Sequence, residues 1–165
     1  MDNFVMRQSR TRGLSYAVNR LITARQSPDG PEIELCDDLV DSDLRHVVQV
    51  SVLFIARELL TNACRHSHSR RILVGIGQDD SHVYLQVQDW GVGFDSKALS
   101  PARRGLKGVY EVVQWLGGTL HLDSRVGGGT CVVVEIPILE TTVPAPCGRR
   151  EKRLTRERMR DGVQA

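Results

Sequence analysis

The chain of 165 residues contains no apolar run approaching the roughly 18 residues that a bilayer-crossing helix needs. Any membrane attachment is therefore expected to come from another chain or a missing segment. It has no C-x-x-C pair and no secretory signal pattern, and its four cysteines, Cys36, Cys64, Cys131 and Cys147, are widely spaced. Such thiols are expected to be reduced and cytosolic, which excludes a disulfide framework and a structural zinc site. The histidines of H-S-H-S, His66 and His68, have no obvious third partner, and a metal site needs three or four converging ligands. Charge of one sign is not in large excess either, since the net charge is only +2. Between Arg149 and Asp161, however, seven basic and three acidic residues give +4, leaving −2 for the rest. The basic character thus sits in a tail, expected to be mobile or weakly helical, for which nucleic-acid contact is not the favoured reading.

What is present describes an ordinary globular protein. Hydrophobic residues make up 41% and charged residues 25%, and the length suits one domain with a real core. The most informative stretch is Val87 to Asp95, V-Q-D-W-G-V-G-F-D. An alternating run, H-V-Y-L-Q-V-Q, delivers Asp89 to the end of a predicted strand, and Gly91 and Gly93 follow. A carboxylate beside bare backbone suits a flat ligand with an exocyclic amino group, such as adenine. By itself this pattern also describes many plain Asp-Gly turns.

Upstream, Leu14, Ala17, Val18, Leu21 and Ile22 have helical spacing within a segment from Met1 to about Arg25, ended by S-P-D-G-P. Glu32 to Cys36 alternates as a short edge strand, and Asp41, Ser42 and Asp43 offer caps for a long helix. In that helix Leu44, Val47, Val48, Val52, Ile55, Ala56, Leu59 and Ala63 form an apolar stripe. Glu58, Asn62 and Arg65, four and three apart, lie on a neighbouring stripe, which could equally be a solvated face. Ile72–Ile76 and His82–Val87 read as strands joined by Q-D-D-S. A polar loop, S-K-A-L-S-P-A-R-R, leads to G-L-K-G, where Gly105 opens a helix carrying Leu106, Val109, Tyr110, Val113 and Leu116 on one face. Free N–H groups at that helix start attract phosphate, with Lys107 and Arg103 or Arg104 adding charge. L-G-G ends the helix, and Thr119–Ser124 and Thr130–Pro137 read as an antiparallel hairpin around R-V-G-G-G.

Taken in order, E-L-L-T-N-A-C-R-H, D-W-G-V-G-F-D, G-L-K-G, L-G-G and G-G-G-T resemble the ATP-binding catalytic domain of sensor histidine kinases. That domain belongs to the superfamily shared with gyrase, chaperone ATPases and MutL. The stretch G-L-K-G-V-Y-E-V-V-Q-W-L-G-G-T-L is most similar to the nitrate-sensor and DesK-like subclass. The resemblance implies an α+β fold, a two-layer α/β sandwich of Bergerat type, with a mixed, mostly antiparallel sheet and helices on one face. It implies a domain over residues 1–139 and a linker with basic tail over 140–165.

By the same resemblance, Asp89 takes the adenine amino group, Gly91 and Gly93 shape the pocket floor, and Thr130 assists through water. Asn62 holds Mg²⁺ against the phosphates of ATP, and Glu58 polarises the attacking group. Arg65 and His66 sit near the phosphates, and Gly105, Leu106, Lys107 and Gly108 close a lid. Two departures stand out. Trp90 occupies the place of a small polar residue at the expected pocket entrance, and none of His46, His66, His68, His82 or His121 lies in a phosphoacceptor context. The expected function is therefore cytoplasmic transfer of the γ-phosphate to a histidine supplied by a separate or missing phosphoacceptor domain, with a response regulator downstream. Two alternatives stay open: a stand-alone anti-sigma-factor-type serine kinase or regulator with a sigma-factor-type partner, and a non-catalytic interaction module.

Overall fold

The computed structural model describes residues 13–39, 44–95 and 106–138. Gly105 and the 140–165 tail lie outside the described residues, as do the cap residues expected at 41–43. The elements run α1 (Leu14–Thr23), β1 (Glu32–Asp38), α2 (His46–His66), β2 (Arg71–Gln78), β3 (His82–Asp89), α3 (Lys107–Trp115), β4 (Thr119–Ser124) and β5 (Thr130–Pro137). The five strands lie in the order β1-β2-β3-β5-β4. Only β1 and β2 pair in parallel, with α2 as their connection, and the other three pairs are antiparallel. This is the mixed, mostly antiparallel sheet that the sequence implies.

Strand alternation decides where the core lies. Ile72, Val74 and Ile76 of β2, Val83, Leu85 and Val87 of β3, and Val132, Val134 and Ile136 of β5 are buried on one face. They form a single cluster with Leu14, Val18 and Ile22 of α1, seven α2 residues and Val109 and Val113 of α3. All three described helices therefore cover the same side of the sheet. Register follows from the β2–β3 turn, where the Asp79 carboxylate accepts N–H bonds from Ser81 and His82, each at 2.7 Å, and the Tyr84 hydroxyl. These donors hold the Asp79 carboxyl well below the usual carboxylate range. With that turn fixed, Ile72 pairs with Asp89, and Asp89 with Thr130 on the other side.

At 21 residues and a mean hydropathy of 1.4, α2 is the one described helix long and apolar enough to cross a membrane. Here its apolar stripe is Val48, Val52, Ile55, Ala56, Leu59, Leu60 and Ala63, buried against the sheet. The stripe differs in detail from the sequence reading: Val47 is 37% exposed, whereas Leu60 is fully buried. The helix begins after Arg45, whose side chain makes no capping bond, and Gln49 Nε2 instead donates to the Leu44 carbonyl at 2.7 Å. It ends at Ser67, followed by His68 with φ +52. That left-handed position after a helix usually falls to glycine.

Candidate functional site

Because Asp89 follows Val83, Leu85 and Val87 at a period of two, its side chain turns to the helix-covered face. It is 6% exposed, one of three buried polar residues, with Ser67 and Ser124, among those described. Its Oδ1 accepts the Gly91 N–H at 3.0 Å, and the carboxylate also accepts the backbone N–H of Thr130. Burial pushes its pKa above the ordinary 3.8, and the two N–H bonds oppose that rise. The charge is thus oriented by backbone, with acceptor capacity left over.

That capacity faces a cavity of about 340 Å³ between α2 and the ends of the sheet. The volume falls in the range of small-molecule sites. From α2 come Leu59, Asn62, Ala63 and His66, spaced so that one helical stripe forms the wall. Asp89, Gly93 and Thr130 stand on the sheet side, with Leu106 just ahead of α3. The lining is mostly apolar, and its polar side chains are few: the acid and hydroxyl of Asp89 and Thr130 on the sheet, the amide and imidazole of Asn62 and His66 on the helix, and Ser67 at the helix end. Asp89 and Asn62 therefore open onto one shared space, an arrangement suited to a flat apolar ring with an amino group at one end and polar substituents at the other.

Of the two glycines expected at the pocket floor, only Gly93 lines the cavity. Gly91 does not line the cavity; a Cβ there would lie 1.8 Å from the Ser67 carbonyl oxygen. That same carbonyl accepts the Val92 N–H at 2.7 Å, so Gly91 lets the end of α2 dock on the backbone beyond β3. Gly93, with φ +52, does line the cavity, and a Cβ there would lie 2.0 Å from the Arg125 carbonyl oxygen. Gly129, not singled out from sequence, has φ +76 and packs its α-carbon against the Asp89 backbone, where a Cβ would meet the carbonyl oxygen at 2.1 Å.

Other expected residues are dispersed. Leu106 is 4% exposed and lines the cavity, whereas Lys107 is exposed and pairs with Glu111 at 3.8 Å. Gly108 is exposed, with only Phe54 within reach of an added Cβ, at 4.0 Å. Glu58 is outside the lining and is held by Arg57 at 3.1 Å; Arg65 is exposed and also outside it. Lys107 and Gly108 thus do not cover the cavity here, because α3 already starts at Lys107 and both residues lie on its exposed face. Trp90 alternates away from Asp89, and the Arg71 guanidinium lies 5.0 Å from its ring centroid. It is 48% exposed and does not obstruct the cavity. No group of three or more His, Cys, Asp or Glu side chains placed to hold a metal occurs among the described residues.

Ser124 was not anticipated from sequence. It is 4% exposed at the end of β4, and its hydroxyl is bonded to the Gly129 carbonyl, the Phe94 N–H and Thr130 Oγ1. A polar residue on the inward phase of a strand was the available signal.

Residues 47–140, more than half of the chain, match the profile of the histidine kinase-, DNA gyrase B- and HSP90-like ATPases. The chain is 34% identical over 101 residues to the signal transduction histidine-protein kinase/phosphatase DegS of Bacillus subtilis, covering 59% of this chain and 26% of DegS. It is 38% identical over 85 residues to the nitrate/nitrite sensor protein NarX of Escherichia coli K12, covering 52% of this chain and 14% of NarX. To the sensor histidine kinase LiaS of Bacillus subtilis it is 28% identical over 127 residues, covering 77% of this chain and 35% of LiaS. The chain thus spans well under two thirds of these relatives. Its fold is shared with the histidine kinase domain of the Erythrobacter litoralis EL346 blue-light activated histidine kinase, at a TM-score of 0.64 and 21% identity, covering 82% of this chain and 66% of that one. With more than half of its length matching that profile, the chain belongs to the family of histidine kinase-, DNA gyrase B- and HSP90-like ATPases.

Proposed function

We propose that this chain is the ATP-binding catalytic domain of a sensor histidine kinase, transferring the γ-phosphate of ATP to a histidine supplied by a separate phosphoacceptor domain. A response regulator is the downstream partner, and the cytoplasm, where ATP is available, is the location. The observation that carries this reading is the shared cavity of Asp89 and Asn62. Asp89, held by two backbone N–H groups, accepts the adenine amino group, while Thr130 stands beside it. The apolar walls, Leu59, Ala63, Val87 and Val132 among them, enclose the ring and exclude water. Asn62 and His66 on α2 then face the phosphates.

Mg²⁺ fits this chain only as an ion completed by its substrate, since no protein cluster could hold it among the described residues. One amide oxygen, that of Asn62, suffices when phosphates and waters fill the rest of an oxygen shell. When bound, the ion neutralises charge on the phosphates. The chain's own task is positioning, because phosphoryl transfer depends more on in-line placement than on covalent help. Glu58, next to the lining residue Leu59 and partly exposed, is the group that takes the proton of an arriving nucleophile.

Calorimetric titration of the 165-residue chain with ATP and Mg²⁺ tests the binding half: micromolar to low-millimolar affinity is expected, and no heat of binding removes the reading. Incubation with γ-labelled ATP and candidate phosphoacceptor domains tests the transfer half. An acid-labile label on the partner is expected, whereas an acid-stable label marks a serine kinase instead.

A further inference from the structure

The hydroxyl of Ser124 is fully committed, and the commitments fix the direction of every proton around it. The Gly129 carbonyl, 2.9 Å away, can only accept, so Ser124 donates its single proton there. The Phe94 N–H, 3.0 Å away, can only donate, so it takes one of the two Ser124 lone pairs. The remaining contact is Thr130 Oγ1 at 3.0 Å, and only the second lone pair is left for it. Thr130 must therefore donate its hydroxyl proton to Ser124. Because Ser124 is 4% exposed, no bulk water competes for these bonds.

From this geometry we propose that Ser124 is a positioning residue that fixes the polarity of the base pocket, by drawing the Thr130 proton away from the cavity and so leaving Thr130 Oγ1 purely an acceptor toward the ligand. This inference rests on reading the cavity as an ATP site. Asp89, beside Thr130 across the β3–β5 pairing, is an acceptor as well, its carboxylate already fed by Gly91 and Thr130 N–H groups. The sheet side of the cavity thus presents two acceptors and no free hydroxyl donor. A 6-aminopurine brings donors to such a wall. A purine without the 6-amino group brings no donor to that place and leaves the lone pairs unmet. Ser124, though shielded from the cavity by Thr130, becomes a determinant of which purine nucleotide is held.

The test compares ATP with purine riboside triphosphate, which lacks only the 6-amino group and keeps N1 as an acceptor, by titrating each with Mg²⁺ into the 165-residue chain. In Ser124→Ala the Thr130 hydroxyl is free to turn its proton into the cavity. The preference for ATP over purine riboside triphosphate is expected to fall by about fivefold, the worth of one hydrogen bond. The same substitution placed on Thr130→Val is expected to leave the preference of that variant unchanged, because no hydroxyl remains to redirect. Equal weakening of both nucleotides by Ser124→Ala overturns the inference, as does a Ser124→Ala effect that persists without the Thr130 hydroxyl. If Ser124→Ala fails to give a cooperative melt, Thr130→Val alone decides: its ATP preference must fall, and an unchanged preference overturns the inference. Failure of the unsubstituted chain to bind either nucleotide refutes the ATP reading itself, and is visible before any variant is made.

Discussion

Replacing Gly91 by alanine should damage this domain through its backbone, not through lost ligand contact. The added Cβ would sit 1.8 Å from the Ser67 carbonyl oxygen and 2.5 Å from its carbon, against an ordinary contact of 3.4–4 Å. The two backbone segments must therefore part by about 1.5 Å, a displacement that a packed interior resists. Ser67 cannot simply yield, because the α2 turn before it carries Leu59, Leu60 and Ala63 in the core. The parting would break the Val92 N–H bond to Ser67 at 2.7 Å and misalign the Gly91 N–H bond to Asp89 at 3.0 Å. Two hydrogen bonds at about 1 kcal/mol each, with about 1 kcal/mol of overpacking, give a loss of about 3 kcal/mol. For a domain of this size that lowers Tm by on the order of 10 °C. Gly127→Ala is the control: φ is +76, but no atom lies within 4 Å of the added carbon, so only the left-handed penalty of about 1–2 kcal/mol applies. Thermal melts followed by circular dichroism at 222 nm make the comparison. A Gly91→Ala melt within about 2 °C of the Gly127→Ala melt would refute the close approach of the α2 end to the backbone beyond β3.

Asp89→Asn should weaken ATP binding about 10- to 100-fold by calorimetry, the range for a hydrogen bond to a charged group. The same variant should change the pH dependence of stability. The folded pKa of Asp89 is raised by burial above the ordinary 3.8, so between those two values the folded state holds a proton that the unfolded state has lost. Stability contributed there falls as pH rises, and urea midpoints of Asp89→Asn should lack that component. His68→Gly should raise the urea-derived stability by about 0.5–1 kcal/mol, because the φ of +52 strains any residue with a Cβ. Trp90→Ala should leave the ATP Kd within about twofold while costing about 0.5–1 kcal/mol of stability, since Trp90 stacks on Arg71 outside the cavity.

Much of this architecture follows from period alone. Thr119–Ser124 and Thr130–Pro137 form the strands that their alternation marks out, and Asp89 is buried because it continues the phase of Val83, Leu85 and Val87. Contacts between distant segments were not legible in that way. The role of Gly91 depends on where the end of α2 meets the turn after β3, a product of the β1–α2–β2 crossover and not of local spacing. Ser124 and Gly129 matter because the β4–β5 hairpin brings them beside Asp89 and Thr130, which requires the β3–β5 pairing of segments about 45 residues apart. Leu60 and Val47 exchanged places in the apolar stripe because a helical phase of 100° per residue leaves flanking positions undecided until the neighbouring element is docked.

The same helical phase separates the α2 residues that a four-and-three spacing groups together. Leu59, Asn62, Ala63 and His66 are at i, i+3, i+4 and i+7 and line the cavity, whereas Glu58 and Arg65 each stand one position earlier, about 100° away from Leu59 and His66. Glu58 therefore stands outside the lining, its side chain 38% exposed beside Arg57. Binding and transfer should then separate cleanly at this residue. Glu58→Gln is expected to leave the ATP Kd within about twofold while slowing phosphoryl transfer to a partner by about 10²-fold or more, the usual worth of a general base. Should Glu58→Gln instead weaken ATP as strongly as Asp89→Asn does, Glu58 would be a nucleotide ligand, and its place outside the lining would not describe the liganded protein.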